Sequence, residues 1–213
     1  MSSQDSKHIY SKISKEFSRT RWNVWPNVGK FIDNFEINSF NGDIGCGNGK
    51  NMLHAKDRKD IKFIGMDICE ELLKICKSKN LEVINGDILR IPFQDNYFDN
   101  IICIAVIHHF KNRSDRIRAI QELIRITKNK GKILIYVWAL EQPEKSIRKF
   151  TQQDNLVPFQ SRESGIYHRF YHIYKSGELE QEVIEATQEL TDLNGKIINS
   201  YYDNGNWCII LEK

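Results

Sequence analysis

Long apolar runs are missing from this 213-residue chain. None comes near the ~20 residues that span a bilayer, so no membrane association is expected. The opening stretch from Met1 to Lys12 is polar and lacks the apolar centre of a secretory signal, which points to a cytoplasmic or nuclear protein. Cysteine is sparse and poorly spaced for covalent or metal work. The five (Cys46, Cys69, Cys76, Cys103, Cys208) are odd in number and form no C-x-x-C pair. That pattern argues against a disulfide framework and against a metal site within the chain, and predicts buried, reduced thiols. There is no internal repeat and no stretch rich in proline or glycine to mark a linker. One domain over 1–213 is therefore expected, with a helical N-terminal extension (1–36) and an insertion (139–172). The net charge, +3, is too small to announce a nucleic-acid partner by itself.

What is present is an ordinary globular composition, 40% hydrophobic and 28% charged, sufficient for one substantial core. The charge is unevenly spread. Residues 111–132 carry Lys111, Arg113, Arg116, Arg118, Arg125, Lys128, Lys130 and Lys132, while Glu178, Glu180, Glu182, Glu185, Glu189 and Asp192 make a late segment acidic. The basic run is a candidate surface for a polyanion, set against the commoner case of a merely solvated face.

Along the chain, apolar residues recur every four positions in the extension (Ile9, Ile13, Phe17; Val28, Ile32) and predict two helices, the second with Pro26 in its first turn. Short apolar runs follow at Phe40–Ile44, Phe63–Met66, Glu82–Ile84, Asn100–Ala105 and Lys132–Trp138. Between them lie helical patterns over Glu70–Lys77 and from Ser114, read as an N-cap, through Ile117, Ile120, Leu123 and Ile124. Strands alternating with helices predict a doubly wound, mostly parallel α/β sheet. At the end, a helix over Glu178–Leu190 precedes two strands, Lys196–Tyr202 and Trp207–Glu212, joined through Asp203-Asn204-Gly205. Asn-Gly between two such runs predicts an antiparallel hairpin and completes seven strands. Residues 139–172 read as an irregular, aromatic-rich cap.

The first strand runs into Asp43-Ile44-Gly45-Cys46-Gly47-Asn48-Gly49. Alternating glycines let the backbone turn tightly against a ligand, and the next helix presents free N–H groups. The dinucleotide spacing G-x-G-x-x-G fails, because its sixth position is Lys50. Asp43 before the loop would repel a pyrophosphate yet suits an ammonium group. Asp67, ending the second strand, can accept from both hydroxyls of a ribose. Asp87, after the third, can accept from an adenine amino group, with Ile68 and Ile88 on either side of the ring. Cys46, Asn48 and Gly49 complete the loop. This constellation resembles the class I S-adenosylmethionine-dependent methyltransferases, whose last strand is also antiparallel; the resemblance implies S-adenosylmethionine as cofactor and adds Ala105 to its surroundings.

Further segments are Ser18-Arg19-Thr20-Arg21-Trp22-Asn23-Val24-Trp25-Pro26, Ile104-Ala105-Val106-Ile107-His108-His109-Phe110, Tyr136–Gln142, Arg169–Glu180 and Asn206-Trp207. Together with the glycine loop they resemble the tRNA wobble-uridine carboxymethyl methyltransferases, from about His8 to Lys213. That resemblance implies esterification of 5-carboxymethyluridine in the tRNA anticodon loop, and a heterodimer with a small zinc-binding activator subunit seated on the edge strand near Leu81–Asn85. The family's L-V-P-W-H motif is here Leu156-Val157-Pro158-Phe159-Gln160. A carboxylate acceptor needs cationic donors, and the candidates are Arg21, His108, His109 and Arg169, with Tyr171 and His172 in support and Arg19 behind them. Trp22, Trp25, Tyr167 and Tyr174 either pack or stack on bases. Two other readings stand beside this one: a methyltransferase of a small metabolite, and a non-catalytic binding subunit on the same fold.

Overall fold

The computed structural model describes residues 3–161, 165–188 and 195–213. Helices α1 (Ser3–Arg19) and α2 (Pro26–Asp33) open the chain. Strands β1 (Phe40–Ile44), β2 (Lys62–Asp67), β3 (Val83–Asn85), β4 (Phe98–Ile104) and β5 (Thr127–Trp138) follow, with α3 (Lys50–His54), α4 (Glu70–Ser78) and α5 (Arg113–Ile126) among them. Beyond β5 come β6 (Asp154–Ser161), β7 (Gly165–His172), α6 (Glu178–Gln188), β8 (Lys196–Tyr202) and β9 (Asn206–Glu212).

Seven strands form one sheet in the order β3-β2-β1-β4-β5-β9-β8. The pairs from β3 to β5 are parallel, and β9 runs antiparallel to both β5 and β8. Asn204 and Gly205 turn the last hairpin, both at positive φ (46° and 86°), as the Asn-Gly pair predicts. Strand order reverses between β1 and β4, and the resulting crevice at the strands' carboxyl ends is where a doubly wound sheet binds ligands.

The core lies on both faces of the sheet. Ile117, Ile120, Leu123 and Ile124 of α5 are buried against Ile101, Ile133 and Ile135. On the other face Val28 and Ile32 of α2 pack with Ile102, Leu134 and Tyr136. The predicted apolar stripes are the buried ones because both helices must hide them against a sheet that is itself apolar on both sides. Among the described residues no helix is long and apolar enough to cross a membrane.

Three expectations need correction. Ser114 is not the cap of α5; Asn112 is the N-cap residue, and it donates to Asp115 at 3.1 Å. The cap at 139–172 is not wholly irregular, since β6 and β7 pair over eight residues, from Asp154↔His172 to Ser161↔Gly165. Pro158 and the run of aromatic residues obscure its alternation, and Pro is tolerated because a two-stranded ribbon is all edge. The basic run at 111–132 is mostly not a free surface. Arg116 is buried and bonds Glu182 at 2.8 Å, Arg113 pairs with Glu185, Arg125 with Asp95 and Glu122, and Lys128 with Asp99. Where α6 lies on α5, Arg113 and Arg116 of the basic run meet Glu182 and Glu185 of the acidic segment. The predicted end of that helix at Glu189–Leu190, together with Asp192, falls outside the described residues.

Candidate active site

A cleft of about 1200 Å³ opens over the carboxyl ends of β1, β2 and β4 and extends to β5 and β9. Its donor-side wall holds Gly45, Cys46, Gly47, Asn48, Asp67, Ile68, Asp87, Ile88 and Ala105, nine of the eleven predicted cofactor residues. Gly45 sits at φ 81°, and a Cβ there would come within 2.3 Å of Val106, so the close approach of loop to strand requires glycine. Gly47, at φ 55°, has only Phe17 within 4.0 Å of a built Cβ and faces open space. Ala105 also has positive φ, 63°, where a side chain costs backbone energy; the chain is forced there to turn off β4 into the cleft.

Asp67 accepts the Gly47 N–H at 2.8 Å and the Cys69 N–H at 2.9 Å. Those bonds aim its carboxylate along the cleft and leave a lone pair on each oxygen for a ribose. Asp87 accepts from Leu89 N–H at 3.0 Å, with Ile68 and Ile88 beside it in the wall. Two predicted residues lie elsewhere. Gly49 is outside the cleft, and its positive φ lets the loop pass over Leu81, which a Cβ would approach to 2.3 Å. Asp43 is fully buried beneath the loop; Oδ2 accepts from Asn51 at 3.4 Å, and Oδ1 has no partner among the described residues. Burial raises Asp43 to about 7, with the Asp67 charge adding to it. A buried carboxylate short of a partner fits a cofactor that carries an ammonium, and disfavours one that carries phosphates.

Asn48 does something the sequence does not announce. Its amide donates to Arg21 O at 2.7 Å and Ser18 Oγ at 3.1 Å, clamping the end of α1 onto the glycine loop. The extension thereby becomes a wall of the cleft, contributing Tyr10, Phe17 and Arg21.

The acceptor-side wall collects the predicted cationic residues. Arg169 is 2% exposed, yet its Nε and Nη1 have no hydrogen-bond partner among the described residues. Its guanidinium lies 5.2 Å from the Phe159 ring and 5.3 Å from Tyr171, so the variant residue of the L-V-P-F-Q segment packs against the cation. Burial lowers the pKa of Arg21, and the Arg169 charge lowers it further: two cations converge on the cleft. His108 is fully buried, and its Nδ1 accepts the Trp138 backbone N–H at 3.1 Å. That bond fixes the proton on Nε2, which has no partner among the described residues and borders the cleft. Burial pushes His108 well below its ordinary value, assisted by His109 and Arg169, so the ring is a neutral N–H donor.

His109, also in the wall, has both nitrogens occupied. Nδ1 donates to Phe170 O at 2.9 Å and Nε2 accepts from Tyr10 at 3.1 Å; burial lowers its pKa to about 4. It braces α1 against β7. Tyr171 stacks on Trp138 with centroids 4.2 Å apart and planes 7° off parallel, and forms the cleft floor beside both histidines. His172 is not in the cleft. It bonds Asp154 at 2.8 Å and Glu178 at 2.7 Å and latches the base of the β6–β7 hairpin to α6. Adjacent positions on a strand face opposite ways, so Tyr171 and His172 could not both serve the site. Among the aromatic residues, Tyr174 is buried against Glu182, Trp25 lines the cleft, and Trp22 is 73% exposed. Arg148, Lys145, Gln142 and Asn206 also line the acceptor side, as does Arg19. Of these, Arg19 is a candidate by residue type, Gln142 and Asn206 fall within the segments that carry the family resemblance, and Lys145 and Arg148 come from the cap and meet the cleft through tertiary folding.

Fold and cleft together define an S-adenosylmethionine-dependent methyltransferase. A family model described as a methyltransferase domain matches residues 42–135. The chain is 37% identical to the tRNA (carboxymethyluridine(34)-5-O)-methyltransferase of Schizosaccharomyces pombe, over 96% of this chain and 94% of that one, and it belongs to this family. It is also 35% identical to the Xenopus tropicalis enzyme of the same name (alkbh8), over 96% of this chain but 40% of that longer protein. Among solved structures, a Methanosarcina mazei S-adenosylmethionine-dependent methyltransferase superposes with a TM-score of 0.67 at 17% identity, covering 90% of this chain and 98% of that one. A chain from the complex between the Haloferax volcanii Trm112 methyltransferase activator and a methyltransferase superposes with 0.69 at 15%, covering 99% and 97%.

Proposed function

We propose that this chain esterifies the carboxylate of 5-carboxymethyluridine at the wobble position of tRNA. The observation that carries the reading is the pair of buried, unsatisfied donors, Arg169 and the neutral N–H of His108, at the end of the cleft away from the glycine loop. A buried cation without a carboxylate is costly unless a ligand supplies the anion. The names of the relatives sharing most of this sequence supply the same acceptor.

S-adenosylmethionine supplies an electrophilic methyl group on a sulfonium. The residues of the chain then have little proton chemistry to do, because a carboxyl with a pKa near ~4 is already ionised at neutral pH. Arg169, with Arg21 and Arg148 near it, attracts and orients the carboxylate; His108 donates to it without adding charge. The bound cofactor would supply its methyl group to one carboxylate oxygen, and no residue of the chain has to move a proton. Asp67 and the glycine loop hold the donor, Tyr171 and Trp138 exclude water, and the rate rests on alignment.

We further infer a heterodimer with a small zinc-binding activator. β3 is the edge of the sheet, with no strand on its outer side among the described residues. Val83 and Ile84 are partly buried there, and an added strand would satisfy their outer backbone groups. The Haloferax complex supports this kind of assembly.

The test is methylation of hypomodified tRNA by the purified chain, with and without the activator, followed by nucleoside mass analysis. The expected product is the methyl ester of 5-carboxymethyluridine. A methyl group on any other nucleoside, or transfer only to small carboxylic acids, would overturn the assignment.

A further inference from the structure

At the acceptor end of the cleft one buried group has the wrong polarity for a carboxylate. Asn206, the first residue of β9, is 7% exposed and lines the cleft, and its Oδ1 has no hydrogen-bond partner among the described residues. The orientation of its amide is not arbitrary. Nδ2 donates to the backbone oxygens of Asp203 at 3.0 Å and Asn204 at 3.4 Å, so exchanging nitrogen and oxygen would set an acceptor against two acceptors. The hairpin turn therefore holds an acceptor oxygen in the same wall as the donors Arg21, Lys145, Arg148, Arg169 and His108.

Its position says what it meets. Asn206 pairs with Trp138 across β9 and β5, and residues paired in this way project from the same face of a sheet. Trp138 in turn donates its backbone N–H to His108, whose other nitrogen faces the acceptor. Asn206 is therefore one strand beyond the carboxylate donors, while the cofactor side runs the other way, from β4 through β1 to β3. The wall around it is fixed. Gln142 donates to Ala139 O at 2.7 Å and Gly205 O at 3.0 Å, and a Cβ on Gly205 would come within 2.9 Å of the Gln142 side chain.

We propose that Asn206 is a specificity-determining residue whose Oδ1 accepts the N3–H of the acceptor uracil while Arg169 and His108 hold the carboxylate on its 5-substituent. This rests on the substrate reading above and deepens it. A uracil ring has one N–H donor when attached to ribose, separated from the substituted carbon by the C4 carbonyl. Docked with its carboxylate on Arg169, it can turn that donor towards β9. Cytosine in the same pose presents a lone pair at N3, opposing the Asn206 oxygen and leaving it unpaired. A site built to pair a buried polar group rejects the analogue that cannot pair with it far better than shape alone would.

The test uses the full chain with whatever activator it requires, and two anticodon stem-loop RNAs differing only at the wobble base: 5-carboxymethyluridine and 5-carboxymethylcytidine. The wild type is expected to favour the uridine RNA on the order of 100-fold in kcat/KM. Asn206→Ala should slow the uridine RNA about tenfold or more and bring the ratio of the two within about threefold. A merely structural role for Asn206 in its turn would slow both RNAs alike and leave the ratio as in the wild type, and that result overturns the proposal. So does a wild type that does not prefer uridine. A wild type that esterifies neither RNA removes the substrate reading itself, a failure told apart by the absence of any ester.

Discussion

Asp43 sets the folding of the ligand-free chain against the binding of its cofactor. Burial raises its pKa from the ordinary 3.8 to about 7, so the folded state favours the protonated form. A raised folded-state pKa contributes stability that is fully present below the unfolded value and is lost as pH rises through the folded one, here from about 4 to about 7. Asp43→Asn should therefore raise the Tm of the ligand-free protein at pH 8, by some degrees, with little change at pH 5. It should also weaken S-adenosylmethionine binding about tenfold, read by titration calorimetry. A lower Tm at pH 8 would show that Asp43 stabilises the loop in its ionised form. Arg169 belongs to the same scale. A fixed positive charge binds the carboxylate more strongly than the partly neutralised transition state, so Arg169→Ala should raise KM for tRNA about tenfold or more and lower kcat less. Unchanged KM with a large loss of kcat would assign Arg169 to another task.

Between elements, charge that looks like a binding surface in the sequence is used to seat α6 on α5. Arg116 and Glu182 are both buried, and Tyr174 donates to the same carboxylate at 2.7 Å. Arg116→Ala takes the nearest cation away from buried Glu182 and should cost roughly 3–5 kcal/mol, measured by denaturant unfolding. The His172 latch is the pH-sensitive part of the same region. Burial opposes its charge, but the hydrogen bonds it donates to Glu178 and Asp154 prevail and raise the pKa above the ordinary 6.5. The stability it adds is thus complete below pH 6.5 and is lost as pH rises through the folded value. His172→Gln should lower Tm more at pH 6 than at pH 9, and the hairpin carrying Arg169 should loosen first by hydrogen exchange. An equal loss at both pH values would mean the ring acts by packing.

For the whole molecule, the extension and the cap converge on one side of the sheet with the last hairpin, and they bring Arg19, Arg21, Lys145, Arg148 and Arg169 to the cleft. Phosphate contacts are accordingly expected at the cleft mouth, away from α5. Binding of tRNA should weaken steeply with salt, and Arg148→Ala should reduce the slope of log K against log salt by about one, whereas Lys132→Ala, at an exposed position outside the cleft, should leave it unchanged.

The sequence by itself determined the sheet and the cofactor end of the cleft. Strand one, the glycine loop, Asp67 and Asp87 meet at the cleft because each is a local signal at a strand end, and a doubly wound sheet brings such ends together whatever surrounds them. The Asn-Gly turn was legible for the same reason. Only the tertiary structure decided the acceptor end. Tyr10, Lys145 and Arg148 come from separate stretches of the chain, and nothing in their neighbours marks the cavity they share. It also decided which charges are free. The basic run and the acidic run look like two faces in one dimension; folded, Arg113 and Arg116 of the one meet Glu182 and Glu185 of the other, because a buried charge is far less costly beside its opposite than alone.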